Sequence, residues 1–212
     1  MKIEIWSDIA CPFCYIGKRK LEKAIQKLSD SSSIQIEWKS FQLNPDLQTN
    51  ENQNTLTYLS QTKGWTLDQT LQMTAQVAAM GREDGLNFDF EHTVVANTKQ
   101  AHRLLHFAKE KGKQDELKER LFQVYFEEGK NIDQQDILLD CAEAVGLARE
   151  EAKQVLDSAS FDAAIDQDVY ESRLIGVQGV PFFVFDRKYS ISGAQSDEVF
   201  DRTLQQALQQ NK

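Results

Sequence analysis

Cys11-Pro12-Phe13-Cys14 stands between Lys2-Ile3-Glu4-Ile5-Trp6-Ser7 and Tyr15-Ile16-Gly17-Lys18. Ile3 and Ile5 alternate with polar or aromatic neighbours, which predicts a short strand over residues 2–7. After the cysteines, Cys14, Gly17, Leu21, Ala24, Ile25 and Leu28 recur at helical spacing, so a helix is expected to run to about Leu28. The dithiol therefore opens a helix that follows a strand. Pro12 suits that position, because the first helical turn does not use its missing N–H. A helix N-terminus also offers unpaired N–H groups and positive dipole to a thiolate. Redox exchange is the chemistry this placement serves. Two structural thiols or half of a zinc site are the alternatives.

Outward from this stretch, Ile34, Ile36 and Trp38 alternate as a second strand. A change of phase before Phe41 and Leu43 suggests a bulge or bend, and Asn44-Pro45 ends the strand. Strand, helix and strand of these lengths form a βαβ unit with parallel strands. Residues 46–54 read as a polar loop. From 55 to 176 the pattern is helical, with helices expected at 55–63, 66–83, 96–111, 114–128, 134–145, 149–157 and 160–175. Gly64, Gly85, Gly112, Gly129 and Gly146 mark the breaks. Leu86 to Phe90 reads as an extended linker. Strands return with Phe182-Phe183-Val184-Phe185 and Tyr189-Ser190-Ile191-Ser192, and a final amphipathic helix carries Val199, Leu204 and Leu208 inward. Residues 1–54 and 177–212 thus form one α/β domain, and 55–176 an all-helical insertion.

Composition narrows the function classes. Hydrophobic residues make up 41% and charged residues 27% of the 212, as in a globular protein. The net charge of −9 works against nucleic acid and anionic membranes as partners. No apolar stretch approaches the ~20 residues of a membrane span. Met1-Lys2-Ile3-Glu4-Ile5-Trp6 lacks the apolar core of a secretory signal, so a cytoplasmic location is expected. There a C-x-x-C pair is more often catalytic or metal-binding than a structural disulfide. The third cysteine, Cys141, falls in the apolar pattern of Ile137, Leu138 and Val145 and reads as a buried small hydrophobe. His102 and His106 have a spacing that suits a metal on one helix face, yet no third ligand is evident and no metal is assigned.

The βαβ unit with C-x-x-C at its helix, followed much later by Val180-Pro181 and a ββα unit, resembles a thioredoxin fold. The helical insertion resembles the DsbA family. Three stretches together resemble its FrnE-like branch: Asp8-Ile9-Ala10-Cys11-Pro12-Phe13-Cys14-Tyr15-Ile16-Gly17, Asn97-Thr98 through Ala101-His102-Arg103-Leu104, and Gly179-Val180-Pro181-Phe182-Phe183. Phe13 departs from the pattern, where the branch more often has Trp and DsbA itself has His. The resemblance implies a thiol–disulfide oxidoreductase acting on protein or small-molecule disulfides or dithiols, with the Cys11–Cys14 disulfide as redox centre. It implies no bound cofactor, with glutathione as a co-substrate.

At residue level, Cys11 is expected to be the nucleophile, accepting N–H bonds as a thiolate, and Cys14 the resolving thiol. The resemblance implies a cis Val180–Pro181 bond beside the cysteines, with Pro181 in the catalytic centre and Val180 pairing with an extended substrate. Pro12 and Phe13 border the substrate and bring no charge to the sulfur, which predicts a less oxidising centre than one with His. Asn97 and His102 are expected to contact substrate. A glutathione-dependent transferase or isomerase, like the kappa-class and hydroxychromene carboxylate isomerase relatives, is a rival reading. Those relatives usually have serine for the nucleophile and lack the second cysteine. A non-catalytic zinc- or ligand-binding module is a further rival. Oligomeric state is not readable from these residues.

Overall fold

A computed structural model describes residues 1–209. In chain order its elements are β1 (Lys2–Ser7), α1 (Pro12–Gln26), β2 (Gln35–Ser40), β3 (Asn50–Asn54), α2 (Thr55–Lys63), α3 (Leu67–Glu83) and β4 (Val94–Val95). There follow α4 (Lys99–Glu110), α5 (Gln114–Phe126), α6 (Gln135–Ala144), α7 (Arg149–Leu156), α8 (Asp162–Leu174), β5 (Phe182–Phe185), β6 (Tyr189–Ser192) and α9 (Asp197–Gln209). All seven helices expected between 55 and 176 form, within three residues of the ends read from the glycines and the periodicity.

The chain divides into two compact units. One comprises Met1–Leu43 and the chain from Ala163 onward; the other is Asn44–Asp162. The sequence pattern puts the corresponding boundaries at 54/55 and 176/177. Two interactions account for the difference. Residues 50–54, expected as loop, pair antiparallel with Val94–Val95 through an irregular register, which keeps them with the helices. Their sequence, Asn-Glu-Asn-Gln-Asn, has no apolar alternation, so only backbone pairing makes them a strand. At the other boundary, α8 belongs with the sheet. The Trp6 indole N–H donates to the Asp168 carbonyl at 2.8 Å, and the Asp168 carboxylate accepts the Ser40 N–H at 2.8 Å.

The first unit is built on a four-stranded sheet in the order β2-β1-β5-β6. β1 and β2 are parallel; β5 runs antiparallel to β1, and β6 to β5. β2 ends at Ser40, short of the Asn44-Pro45 expected to end it, so the phase change before Phe41 is the end of the strand and not a bulge within it. Alternation along β1 sends Ile3 and Ile5 into a core with Leu21, Ala24, Phe183, Phe185, Phe200 and Leu204, from both strands and helices α1 and α9. Glu4 and Trp6 lie on the opposite face. There Lys39 is held by the carboxylates of Asp168 at 3.0 Å, Glu37 at 3.2 Å and Glu171 at 3.4 Å. Burial opposes the Lys39 charge, but these acids win and hold its pKa above the ordinary lysine range.

The second unit is helical. Asn54 caps α2 by accepting the Thr57 N–H, and Thr66 and Gln69 form a reciprocal capping box on α3. Phe88, Phe90 and Phe126 make a tilted and edge-on aromatic cluster with centroids 5.1–6.2 Å apart. Arg103 grips Asp162 with two N–H groups at 2.6 and 2.9 Å, which draws the carboxyl pKa down to about 2. Among the described residues no helix is long and apolar enough to cross a membrane.

Asp168 is the acceptor shared by Ser40 and Lys39. Asp168→Ala is expected to cost about 3 kcal/mol in urea unfolding, because a nearly buried ammonium loses its closest partner. Adding Lys39→Met should restore more than half of that loss.

Candidate functional site

Sheet register brings the two ends of the chain to one place. Trp6 lies opposite Phe182, so the chain leaving β1 and the chain entering β5 emerge at the same edge. Parallel β2 ends there too, at Ser40 opposite Ser7. This is the C-terminal edge of a parallel strand pair, where α/β folds place their ligand sites.

Cys11 occupies the N-cap of α1, with φ −99° and ψ 109°, and Pro12 begins the helix. Cys11 and Cys14 are not joined in a disulfide, and both are buried, at 4% and 0% exposure. Cys11 does not cap the helix with its side chain. Its thiol donates instead to the Val180 carbonyl at 3.4 Å, across 169 residues of chain, and is hydrogen bonded to the Cys14 side chain. The Val180–Pro181 peptide is cis, and Pro181 is buried. Pro12 is half-buried and Phe13 is exposed.

These contacts alter the expected electrostatics. The hydrogen bond with Cys14, then burial, then the charges of Cys14 and Asp8 push the Cys11 thiol well above the ordinary range; the Cys14 backbone N–H alone pulls it down. Cys11 thus meets both a helix N–H, that of Cys14, which favours the thiolate, and the Val180 carbonyl, which accepts its proton. In the dithiol state Cys11 is a protonated donor to a carbonyl. The Val180 carbonyl is the acceptor of that thiol proton.

Three residues missed by sequence reasoning shape the site. Asp8 is buried at 2%; its carboxylate accepts the Leu43 N–H at 2.8 Å and its carbonyl accepts the Cys11 N–H at 3.3 Å. Its place three residues before Cys11, at the head of the stretch that carries the family resemblance, is the signal that could have found it. Gly17 lies in α1, and a β-carbon there would stand 2.9 Å from Phe183 Cζ and 3.1 Å from Pro181 Cγ. Helical periodicity marks Gly17 as inward but not as a contact with the Pro181 loop. Ser7, whose Oγ is buried without a hydrogen-bond partner among the described residues, ends β1. A buried polar atom left so costs ~1–3 kcal/mol and is a feature of sites more than of cores.

Asn97 and His102 belong to the second unit. Asn97 is a loop clasp: its amide donates to the Leu47 and Pro45 carbonyls at 2.8 and 3.3 Å, and its oxygen accepts the Lys99 N–H at 2.8 Å. His102 is buried in α4. His106, one turn on, stacks at 6.1 Å on Phe161. No group of three or more His, Cys, Asp or Glu of metal-binding geometry occurs among the described residues. Cys141 is buried, and burial raises its thiol pKa to about 11.

The chain matches the family described as DSBA-like thioredoxin domain over residues 2–205. It is 30% identical over 216 residues to the uncharacterized protein YwbO of Bacillus subtilis, covering 95% of this chain and 94% of that one. Among solved structures, the probable DsbA oxidoreductase SCO1869 of Streptomyces coelicolor is 34% identical with a TM-score of 0.92, over 98% of this chain and 90% of that chain. The cytosolic disulfide reductase DsbM of Pseudomonas aeruginosa, solved with GSH, shares the fold at 15% identity and a TM-score of 0.68, over 99% and 100% of the two chains.

Two outcomes follow from the geometry. A raised pKa means that the thiolate appears only as pH climbs through that value. Alkylation of Cys11 in the reduced protein is thus expected to be slow at neutral pH and still accelerating past about pH 8.5, where an ordinary thiol is half ionised. Gly17→Ala should lower the thermal midpoint by about 1–3 kcal/mol worth of stability, despite the better helix propensity of Ala, because Phe183 and Pro181 have no room to yield.

Proposed function

The chain belongs to the DSBA-like thioredoxin domain family, and from that premise we propose that it reduces disulfides through a Cys11–Cys14 centre, Cys11 attacking and Cys14 resolving. The observation that carries this reading is the Cys11 thiol, held between the Val180 carbonyl and Cys14 with its pKa raised. A centre whose thiolate is disfavoured gives up electrons readily, whereas the strongly oxidising members of the class stabilise their reduced form. Phe13 fits the same direction, since it adds no positive charge that would favour the thiolate.

The steps balance within the dithiol. An extended substrate segment pairs with the Val180 backbone, and its N–H takes the carbonyl from the Cys11 thiol. Cys11 loses its proton to solvent and attacks one substrate sulfur. That sulfur–sulfur bond breaks, a mixed disulfide forms, and the other substrate sulfur leaves and is protonated. Cys14 then gives up its proton and attacks the Cys11 sulfur. The Cys11–Cys14 disulfide forms, and the second substrate sulfur departs as a thiol. Two electrons and two protons have passed to the substrate. Two molecules of glutathione restore the dithiol, becoming oxidised glutathione.

Pro181 closes the site beside the sulfurs and, lacking an N–H, leaves the Val180 carbonyl without a local competitor. Pro12 and Phe13 present an apolar rim to the substrate. Asn97 and His102 complete the proposed substrate contacts, His102 through its helix and Asn97 by holding its loop. The cytoplasm, where thiols are kept reduced, is the compartment in which such a centre works. The three motifs fit the FrnE-like branch of the family.

The test is reduction of insulin disulfides in a defined glutathione buffer. Wild type should accelerate it, Cys11→Ser should lose activity to the uncatalysed rate, and Cys14→Ser should accumulate a mixed disulfide at Cys11. Full activity in Cys11→Ser would overturn the assignment. Glutathione conjugation that survives in Cys14→Ser would turn the reading toward a transferase.

A further inference from the structure

The helical unit contains a helix with apolar residues on its solvent side. α3 turns Thr70, Thr74, Ala78 and Gly81 inward. It packs along α2, and Phe88 fits beneath Gly81, 2.8 Å from where a β-carbon would stand. Beside that buried row, Leu67, Leu71, Ala75 and Ala79 follow at intervals of four, and all are exposed. Leu67 is exposed by 55% and Leu71 by 40%. Against this face lies a hollow of about 270 Å³, lined by Leu56, Leu71, Ala75, Ala78, Phe88 and Phe90. A single exposed leucine is ordinary, but an apolar face continued by an aromatic-backed hollow is a surface for a partner.

Two opposite charges bracket the face and point to the partner. Asp68 and Arg82 each stand seven residues from Ala75, so the three share one side of the helix. Both are exposed, and neither forms an ion pair or side-chain hydrogen bond within the described residues. Inverting the helix about Ala75 puts Asp68 on Arg82 and Leu71 on Ala79. The face is therefore complementary to an inverted copy of itself, which is the condition for an isologous twofold contact. Antiparallel helices also set their dipoles in opposition. We propose that two copies of this chain associate through α3, antiparallel across a twofold axis at Ala75. Leu71 of each copy then rests on Ala79 of the other, beside the hollow, and Asp68 pairs with the partner's Arg82 at both ends. Each arm is about 10 Å long, so a crossing angle of about 20° leaves those end charges within reach. One helix seam of this length is smaller than a standard interface, which makes the dimer micromolar rather than nanomolar. All these residues belong to the unit Asn44–Asp162, so the dithiol contributes none of them.

The experiment is sedimentation velocity of the full chain, kept in reductant, from about 1 to about 300 μM. Wild type is expected to pass from one chain to two over that range and to stop at two. Asp68→Arg and Arg82→Asp each set like charges face to face at both ends of the seam. Each should weaken association about tenfold or more, with helix content by circular dichroism unchanged. The double variant Asp68→Arg/Arg82→Asp restores opposite charges and should return the dissociation constant to within about threefold of wild type. A wild type that stays a single chain throughout overturns the proposal and leaves the face to a different protein. A dimer that both single reversals leave intact overturns the placement at α3, as does a double variant no tighter than the single ones. Should a charge variant lose helix content, Ala75→Glu, which sets two carboxylates on the axis, carries the test: a monomer supports the contact, and an unchanged dimer overturns it.

Discussion

The pairing of β1 with β5 is the constraint on which the rest depends. β1 is an inner strand, parallel to β2 on one side and antiparallel to β5 on the other. That single arrangement puts the exit of the first strand and the entry of the fifth at the same edge, so Cys11 and Val180 meet although 169 residues separate them. It also decides what each side of the sheet does. Ile3 and Ile5 join a core of Phe183, Phe185, Phe200 and Leu204, while Glu4 and Trp6 meet the charged face closed by α8. The thiol's environment follows from backbone register before any side chain is chosen.

Much of this was readable from residues alone, where the physics is local. The alternation of Ile3 and Ile5, the helical recurrence after Cys14, and the breaking glycines each report on a few neighbours, and the elements they predict form. The Asn50–Asn54 strand was not readable, because its partner Val94–Val95 is about forty residues away and its side chains are polar on both faces. α8 looked like the last helix of an insertion; its tie to the sheet runs through Trp6 and Asp168, a main-chain carbonyl and a carboxylate that no periodicity encodes.

The candidate site divides in the same way. C-x-x-C at a strand-to-helix junction and a distant Val-Pro are sequence signals, and the register unites them. The protonation of Cys11 is not such a signal. It depends on the balance at one side chain, which meets the Cys14 N–H from the helix and a carbonyl from Val180. The same motif can therefore sit in different electrostatic settings, and spacing along the chain does not encode which.

Because the sulfur's acceptor lies near the far end of the chain, the centre has an order of assembly in time. During synthesis Cys11 and Cys14 leave the ribosome long before Val180, and at ~5–20 residues per second the interval across those 169 residues is roughly ten to thirty seconds. Throughout it neither β5 nor the Pro181 loop exists, so the two thiols have no sheet edge to bury them and no carbonyl to hold the first proton. The nascent protein therefore exposes a pair of ordinary, unguarded cysteines, and only the arrival of its last strands converts them into a tuned couple. A chain that stalls or is cut after the helical unit keeps the motif but not the sheet edge that buries it.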